Sequence, residues 1–296
     1  MILRRTKRAF VLGGGGARGA LQAGALRALV EADLHPDLLV GTSVGALNAA
    51  FLAVHGITLD TINALDEVWR EAAQADLLPA NYLWLTVRIL FNRPDEYPAS
   101  RLRNFFIAHG LSPEMRFGQI RDISLYIVAA DLNAIQPVLY GRDPNQSVLE
   151  ALLASTALPP WVRPIESQGR LLIDGGVVSN LPIEPALSLG ATEILALDLA
   201  DPRDTPPISA TNRFGPFLGR LLNTVERRQS ELELALAQAR RVLLHRIVLQ
   251  PDRPVQIWDF SRTEELLTKG YELARREIDT WKRETLRRWQ RRKTGR

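Results

Sequence analysis

The chain has 296 residues, 46% hydrophobic and 24% charged, with a net charge of +4. That composition is ordinary for a globular protein and is long enough to bury a core without staples. With no cysteine and only four histidines (His35, His55, His109 and His245), disulfides and thiolate metal sites are excluded. No histidine pair has the helical spacing of a zinc protease, so no metal is expected, and the missing cysteines suit a reducing cytoplasm.

In chain order, the basic residues Arg4, Arg5, Lys7 and Arg8 are followed by a short strand and a glycine run, not by the long apolar segment of a leader. No stretch reaches the roughly 18 uncharged apolar residues needed to span a bilayer. Residues 8–12 read as a buried strand and 20–32 as a helix. Residues 38–40 form a second strand that stops at Gly41, and 44–54 a small-residue helix. Strands are expected at 125–130 and 137–140, a helix at 146–154, and a strand at 170–173 ending on Asp174. A helix at 183–189 and strands at 193–198 and 246–249 follow. Strands alternating with helices, each strand a continuous apolar run, predict a three-layer α/β/α fold with a mostly parallel central sheet. This main domain is placed at 8–258, with residues 77–98 read as a possible cap or lid, although buried helix is the favoured reading of its apolar part, 77–91. The Pro-, Thr- and Asn-rich stretch 201–217 is read as a flexible loop.

Residues 262–296 read as a C-terminal helical extension. Leu267, Tyr271, Ala274, Ile278, Trp281 and Trp289 recur at steps of three, four and twice four. From Arg262 onward twelve Lys and Arg face six Asp and Glu, so the excess positive charge lies in this tail. Two readings stay open for its last turns: contact with anionic membrane through basic and tryptophan side chains, or plain solvation. Nucleic acid is not expected, and oligomeric state is not legible.

Three motifs carry the chemistry. Gly41-Thr42-Ser43-Val44-Gly45 lies between strand and helix, the nucleophile-elbow pattern in which a sharp turn presents the serine hydroxyl. Gly13-Gly14-Gly15-Gly16-Ala17-Arg18-Gly19 leaves backbone N–H groups unobstructed, as an oxyanion hole or anion nest requires. The same run matches a dinucleotide fingerprint, but an acidic residue ending the second strand is missing: Asp37 precedes that strand and Ser43 follows it. Asp174-Gly175-Gly176 follows a strand whose C-terminus, in a parallel sheet, would share an edge with Ser43.

Together these motifs resemble the patatin-like phospholipases, with Gly14 to Gly19, Gly41 to Gly45 and Asp174 to Gly176 in the family's order. Ala154 to Pro159 resembles its stretch upstream of the aspartate, and the likeness extends over residues 9–278. The resemblance implies a Ser43–Asp174 dyad without histidine, an acyl-enzyme, and an oxyanion held by the amides of Gly14, Gly15 and Gly16. Arg18 would orient that loop or a lipid phosphate, and Gly41 and Gly45 would form the elbow. It implies a lipid or other acyl-ester substrate, no cofactor, and a cytoplasmic enzyme or one peripheral to a membrane. A Ser–Asp–His triad through His245 competes, but His245 leads into a strand instead of leaving one. A non-hydrolytic lipid-binding protein of the same fold is the second alternative.

Overall fold

The computed structural model describes residues 6–75, 97–159, 162–200 and 214–294. The reading of 77–98 as a lid, most of the 201–217 loop, and the last residues of the tail fall outside that description or concern side chains it does not cover.

The strands are β1 (Arg8–Leu12), β2 (Leu38–Thr42), β3 (Ser124–Asp131), β4 (Gln136–Tyr140), β5 (Ile165–Ser167), β6 (Arg170–Asp174), β7 (Glu193–Leu199) and β8 (Leu243–Leu249). All eight join one sheet. Within it β8, β7, β1, β2 and β3 are neighbours in that order and run parallel. The central strands β1, β2 and β7 are buried almost throughout, which is why their sequences are unbroken apolar runs: side chains alternate between two covered faces. Phe10, Leu12, Leu39, Leu195 and Leu197 point into one core. Their neighbours Ala9, Val11, Leu38, Val40, Ile194 and Ala196 point into another on the opposite side.

Helices cover both sides. α1 (Gly19–Glu31), α2 (Val44–His55), α3 (Leu59–Gln74), α4 (Tyr97–Ala108) and α5 (Val148–Ser155) belong to the larger core, and the one-turn α6 (Gly176–Ser179), α7 (Ile183–Ser188) and α8 (Phe214–Ala239) to the smaller one. The mostly parallel three-layer arrangement expected from the sequence is the one observed. α3, α4 and α8 are helices that the sequence reading leaves unassigned. α3 has a plain start signal, Thr58 accepting the Thr61 N–H at 3.1 Å, and an apolar face of Ile62, Leu65, Trp69 and Ala72. α8 begins at Phe214, so the last four residues of the expected loop are helical.

The C-terminal helix α9 (Thr263–Thr294) packs along α1. Leu266, Leu267, Ala274 and Ile278 are buried in the larger core, each large side chain contributing about 1.5–3 kcal/mol relative to exposure. The crossing depends on two glycines: a Cβ on Gly24 would lie 1.9 Å from the Leu267 oxygen, and one on Gly270 1.9 Å from the Leu21 oxygen. No helix among the described residues is long and apolar enough to cross a membrane.

The antiparallel edge positions the site and corrects one expectation. β6 does not run parallel to its neighbours: it pairs antiparallel with β3, Ala129 opposite Asp174. β2 occupies the same edge of β3 up to Thr42 opposite Val128, since β4 takes the other edge. β2 and β6 therefore point at each other along β3 and meet end to end. Their C-termini touch because opposed strands collide, not because parallel strands share an edge.

Candidate functional site

Ser43 follows the end of β2 and precedes α2, with φ 54° and ψ −126°. A non-glycine residue in this region is strained by about 1–3 kcal/mol, and the surrounding packing imposes it. A Cβ on Gly41 would sit 2.5 Å from the Ala46 Cα, and one on Gly45 2.2 Å from the Leu12 oxygen. The elbow needs glycine at both positions because helix α2 lies directly on the strand ends. The Ser43 N–H donates to Ser155 Oγ at 2.8 Å, and that hydroxyl donates to the Val128 carbonyl at 2.6 Å. α5 thereby braces the turn.

Ser43 Oγ donates to Asp174 Oδ2 at 2.6 Å. The other oxygen, Oδ1, accepts the Gly176 N–H at 2.8 Å. Asp174 is 3% exposed, and burial pushes its carboxyl up to about 6, against the opposing effect of the hydrogen bonds from Ser43 and Gly176. Desolvation disfavours the charged form, and donors to the carboxylate favour it; here desolvation wins. The pair can move a proton: a hydroxyl held against a carboxyl group far more basic than a solvated aspartate.

The glycine loop lies beside the pair, but its amides are not equivalent. Gly13 donates to the Leu197 carbonyl at 3.2 Å and Gly14 to the Asn180 carbonyl at 3.0 Å. Gly14 is thus spent on structure and is corrected from donor to brace. The N–H groups of Gly15 and Gly16 have no partner among the described residues, and both glycines line the cavity with Ser43. Gly16 takes φ +57°, and a Cβ there would meet the Ile257 oxygen at 2.3 Å, so only glycine fits. Arg18 is 4% exposed and its Nε donates to the Gly15 carbonyl at 3.2 Å, holding the loop. Gln22 donates to the carbonyls of Gly13 (2.8 Å) and Leu197 (3.2 Å). Asn48 donates to Gln22 at 3.0 Å and accepts from the Trp69 indole at 3.0 Å. Sequence reasoning missed Gln22 and Asn48: they are buried polar residues inside helices, with no motif around them.

Ser43 and Asp174 line a cavity of about 400 Å³ whose wall is largely apolar, with Phe51, Leu65, Trp69, Phe106, Val255 and Phe260 among its residues. His109 lines this cavity; its Nδ1 is 2.7 Å from the Phe105 carbonyl and its Nε2 3.0 Å from Glu71. His245 does not line it. It lies inside β8 opposite Leu195, with its ring 4.4 Å from Trp281 and Nε2 4.0 Å from Glu193. Among the described residues no group of three or more His, Asp or Glu side chains could hold a metal ion.

A family model described as "Patatin-like phospholipase" matches residues 10–187. Lysophospholipase nte1 of Aspergillus terreus is 26% identical over 301 residues, covering 93% of this chain and 18% of that protein. Patatin-like phospholipase domain-containing protein 7 of Mus musculus is 26% identical over 296 residues, covering 93% of this chain and 21% of its own length. The chain therefore spans about a fifth of the curated relatives it matches. Among solved structures, VipD from Legionella pneumophila superposes with a TM-score of 0.52 at 15% identity, covering 94% of this chain and 67% of that one. At that identity the likeness is one of fold.

Proposed function

The chain belongs to the patatin-like phospholipase family, and from that premise we propose that it is a lipid acyl hydrolase working through Ser43 and Asp174. The observation that carries the reading is the 2.6 Å contact from Ser43 Oγ to a buried Asp174, both lining a largely apolar cavity.

In the proposed reaction Asp174 Oδ2 takes the Ser43 proton as Oγ attacks the ester carbonyl carbon. The carbonyl oxygen becomes an oxyanion facing the amides of Gly15 and Gly16, with the α2 N-terminus adding favourable potential. Collapse breaks the bond to the alcohol, which leaves with the proton held by Asp174, and the acyl group stays on Ser43. Water then gives a proton to Asp174 and attacks the acyl carbon. The fatty acid departs, and the proton returns to Ser43 Oγ. Histidine is not needed, because burial has already made the carboxylate basic enough to serve near neutral pH. The apolar wall suits an acyl chain, and the buried Arg18 suits a loop brace better than a headgroup contact.

Medium-chain nitrophenyl esters and phosphatidylcholine vesicles test the reading, with Ser43→Ala, Asp174→Asn and His245→Ala beside the wild type. The first two should lower kcat by about 10³-fold or more, and His245→Ala should keep it. Loss of turnover in His245→Ala alone would restore the triad. A wild type inert to every ester and to fluorophosphonate would favour the lipid-binding alternative.

A further inference from the structure

Residues 176–180 bond to Asp174, to the residue before Ser43 and to the glycine loop. The Gly176 N–H holds Asp174 Oδ1 at 2.8 Å. The Ser179 carbonyl accepts the Thr42 hydroxyl at 2.8 Å, fixing the residue before Ser43. The Asn180 carbonyl accepts the Gly14 N–H at 3.0 Å, fixing the glycine loop. One short bracket, residues 176–180, thus sets base, nucleophile and loop relative to one another.

This bracket is gripped from outside by α8. Gln229 Nε2 donates to the Val177 carbonyl at 2.5 Å. One turn on, the Glu233 carboxylate accepts three hydrogen bonds, from Ser179 Oγ at 2.5 Å and from the backbone N–H groups of Ile183 at 2.6 Å and Glu184 at 2.9 Å. Glu233 is 9% exposed, and among the described residues no Lys, Arg or His forms an ion pair with it. Glu184 is the charged neighbour that faces it, and its charge is of the same sign. A carboxylate buried without a counter-ion is costly unless its oxygens are fully used. A plain packing role would be filled more cheaply by leucine.

We propose that Glu233 is a positioning residue for the hydrolytic site, holding the 176–180 bracket through Ser179 and so fixing Ser43, Asp174 and the Gly15 and Gly16 amides in one geometry. This rests on the Ser43–Asp174 reading above. Without the carboxylate, the Ser179 hydroxyl and two N–H groups lose their buried partner. The bracket then shifts to find water, and the shift passes to Thr42, to Gly14 and, through Gly176, to Asp174. Reaction depends on contacts near 3 Å, so a displacement of about 1 Å costs on the order of 100-fold in rate.

Glu233→Ala, Glu233→Gln and Ser179→Ala are compared with wild type and Ser43→Ala by nitrophenyl butyrate kinetics and by hydrogen exchange over residues 9–19 and 174–184. Glu233→Ala should lower kcat by about ten- to 100-fold with KM little changed, and should speed exchange at Gly13 and Gly14 as well as over 176–184. Glu233→Gln can still accept from both backbone N–H groups and donate to Ser179 Oγ, so it should recover most of the rate and the slow exchange. Ser179→Ala removes one bond only and carries the test if Glu233→Ala does not fold. Wild-type kcat in either alanine variant, or faster exchange confined to 183–184, would overturn the proposal and leave Glu233 as a cap on α7. If the wild type shows no Ser43-dependent hydrolysis, the dyad reading fails by itself. Exchange then still decides: spread to Gly13 and Gly14 supports the bracket, and confinement overturns it.

Discussion

In the proposed reaction Asp174 must be basic enough to take a serine proton, and a solvated aspartate near 4 is not. The protein solves this by burial, which lifts the carboxyl to about 6, while the Ser43 and Gly176 hydrogen bonds keep the rise moderate. The proposed base is the ionised form. For an uncharged ester, kcat/KM should therefore fall about tenfold per pH unit below about pH 6 and level off above it. A limb near pH 4 in the pH–rate profile would mean that Asp174 is hydrated in the working enzyme. The proposed pair, Ser43 and Asp174, was singled out in the sequence because flanking glycines leave a pattern. Glu233, Gln22 and Asn48 were not. Each is one polar residue within a helix, and nothing local separates a buried polar side chain from a solvated one. The reassignment of Gly14 had the same cause: four glycines look alike until the Asn180 carbonyl takes one amide.

Elements read most clearly where an apolar run is short and bounded, as in β1, β2, β6 and β7. Strand direction was not legible, since β6 gives the same sequence whether it runs with β3 or against it. Pairing chose the antiparallel sense and set β6 nose to nose with β2. α8 was missed because its amphipathic pattern follows a Pro-rich stretch and mixes Glu and Arg along its length. α9 was legible from its stripe, but its closeness to α1 was not, because it rests on Gly24 and Gly270 facing opposite backbones. Gly270→Ala should destabilise the fold by roughly 3 kcal/mol, in the range of overpacked or strained core sites. Gly169→Ala is a useful contrast: a Cβ there meets nothing within 4 Å, though its φ of +75° carries a smaller cost of about 1 kcal/mol. Urea titration of both variants checks this, and equal midpoints would mean that α9 can slide away from α1 freely.

At the scale of the whole molecule the buried acids weigh on stability. Asp174 moves from 3.8 in the ordinary state to about 6 in the folded one, so between those values the native state binds more protons than the unfolded chain. Stability from this group is fully present below about pH 4 and is lost as pH rises through 6. The loss is about 3 kcal/mol at pH 8, taking about 1.4 kcal/mol per pH unit. Glu233, pushed up to about 7 by burial, acts in the same sense. Asp174→Asn should accordingly melt higher than wild type at pH 8, with the gap closing as pH falls toward 4. Identical melting at pH 8 would show that Asp174 carries no buried-charge penalty. A residue retained at a cost in stability is what a site with chemical work would show.

By itself the sequence determined the layered α/β class, the family and the two residues of the proposed dyad. Those properties are written in hydrophobic periodicity and in glycine motifs, which are local. Only the tertiary structure decided how residues 131 positions apart come within 2.6 Å, which glycine amides stay open, and that α8 grips the site through Glu233. Each of these depends on which backbone group an element meets across the sheet, and no short stretch of sequence holds that information.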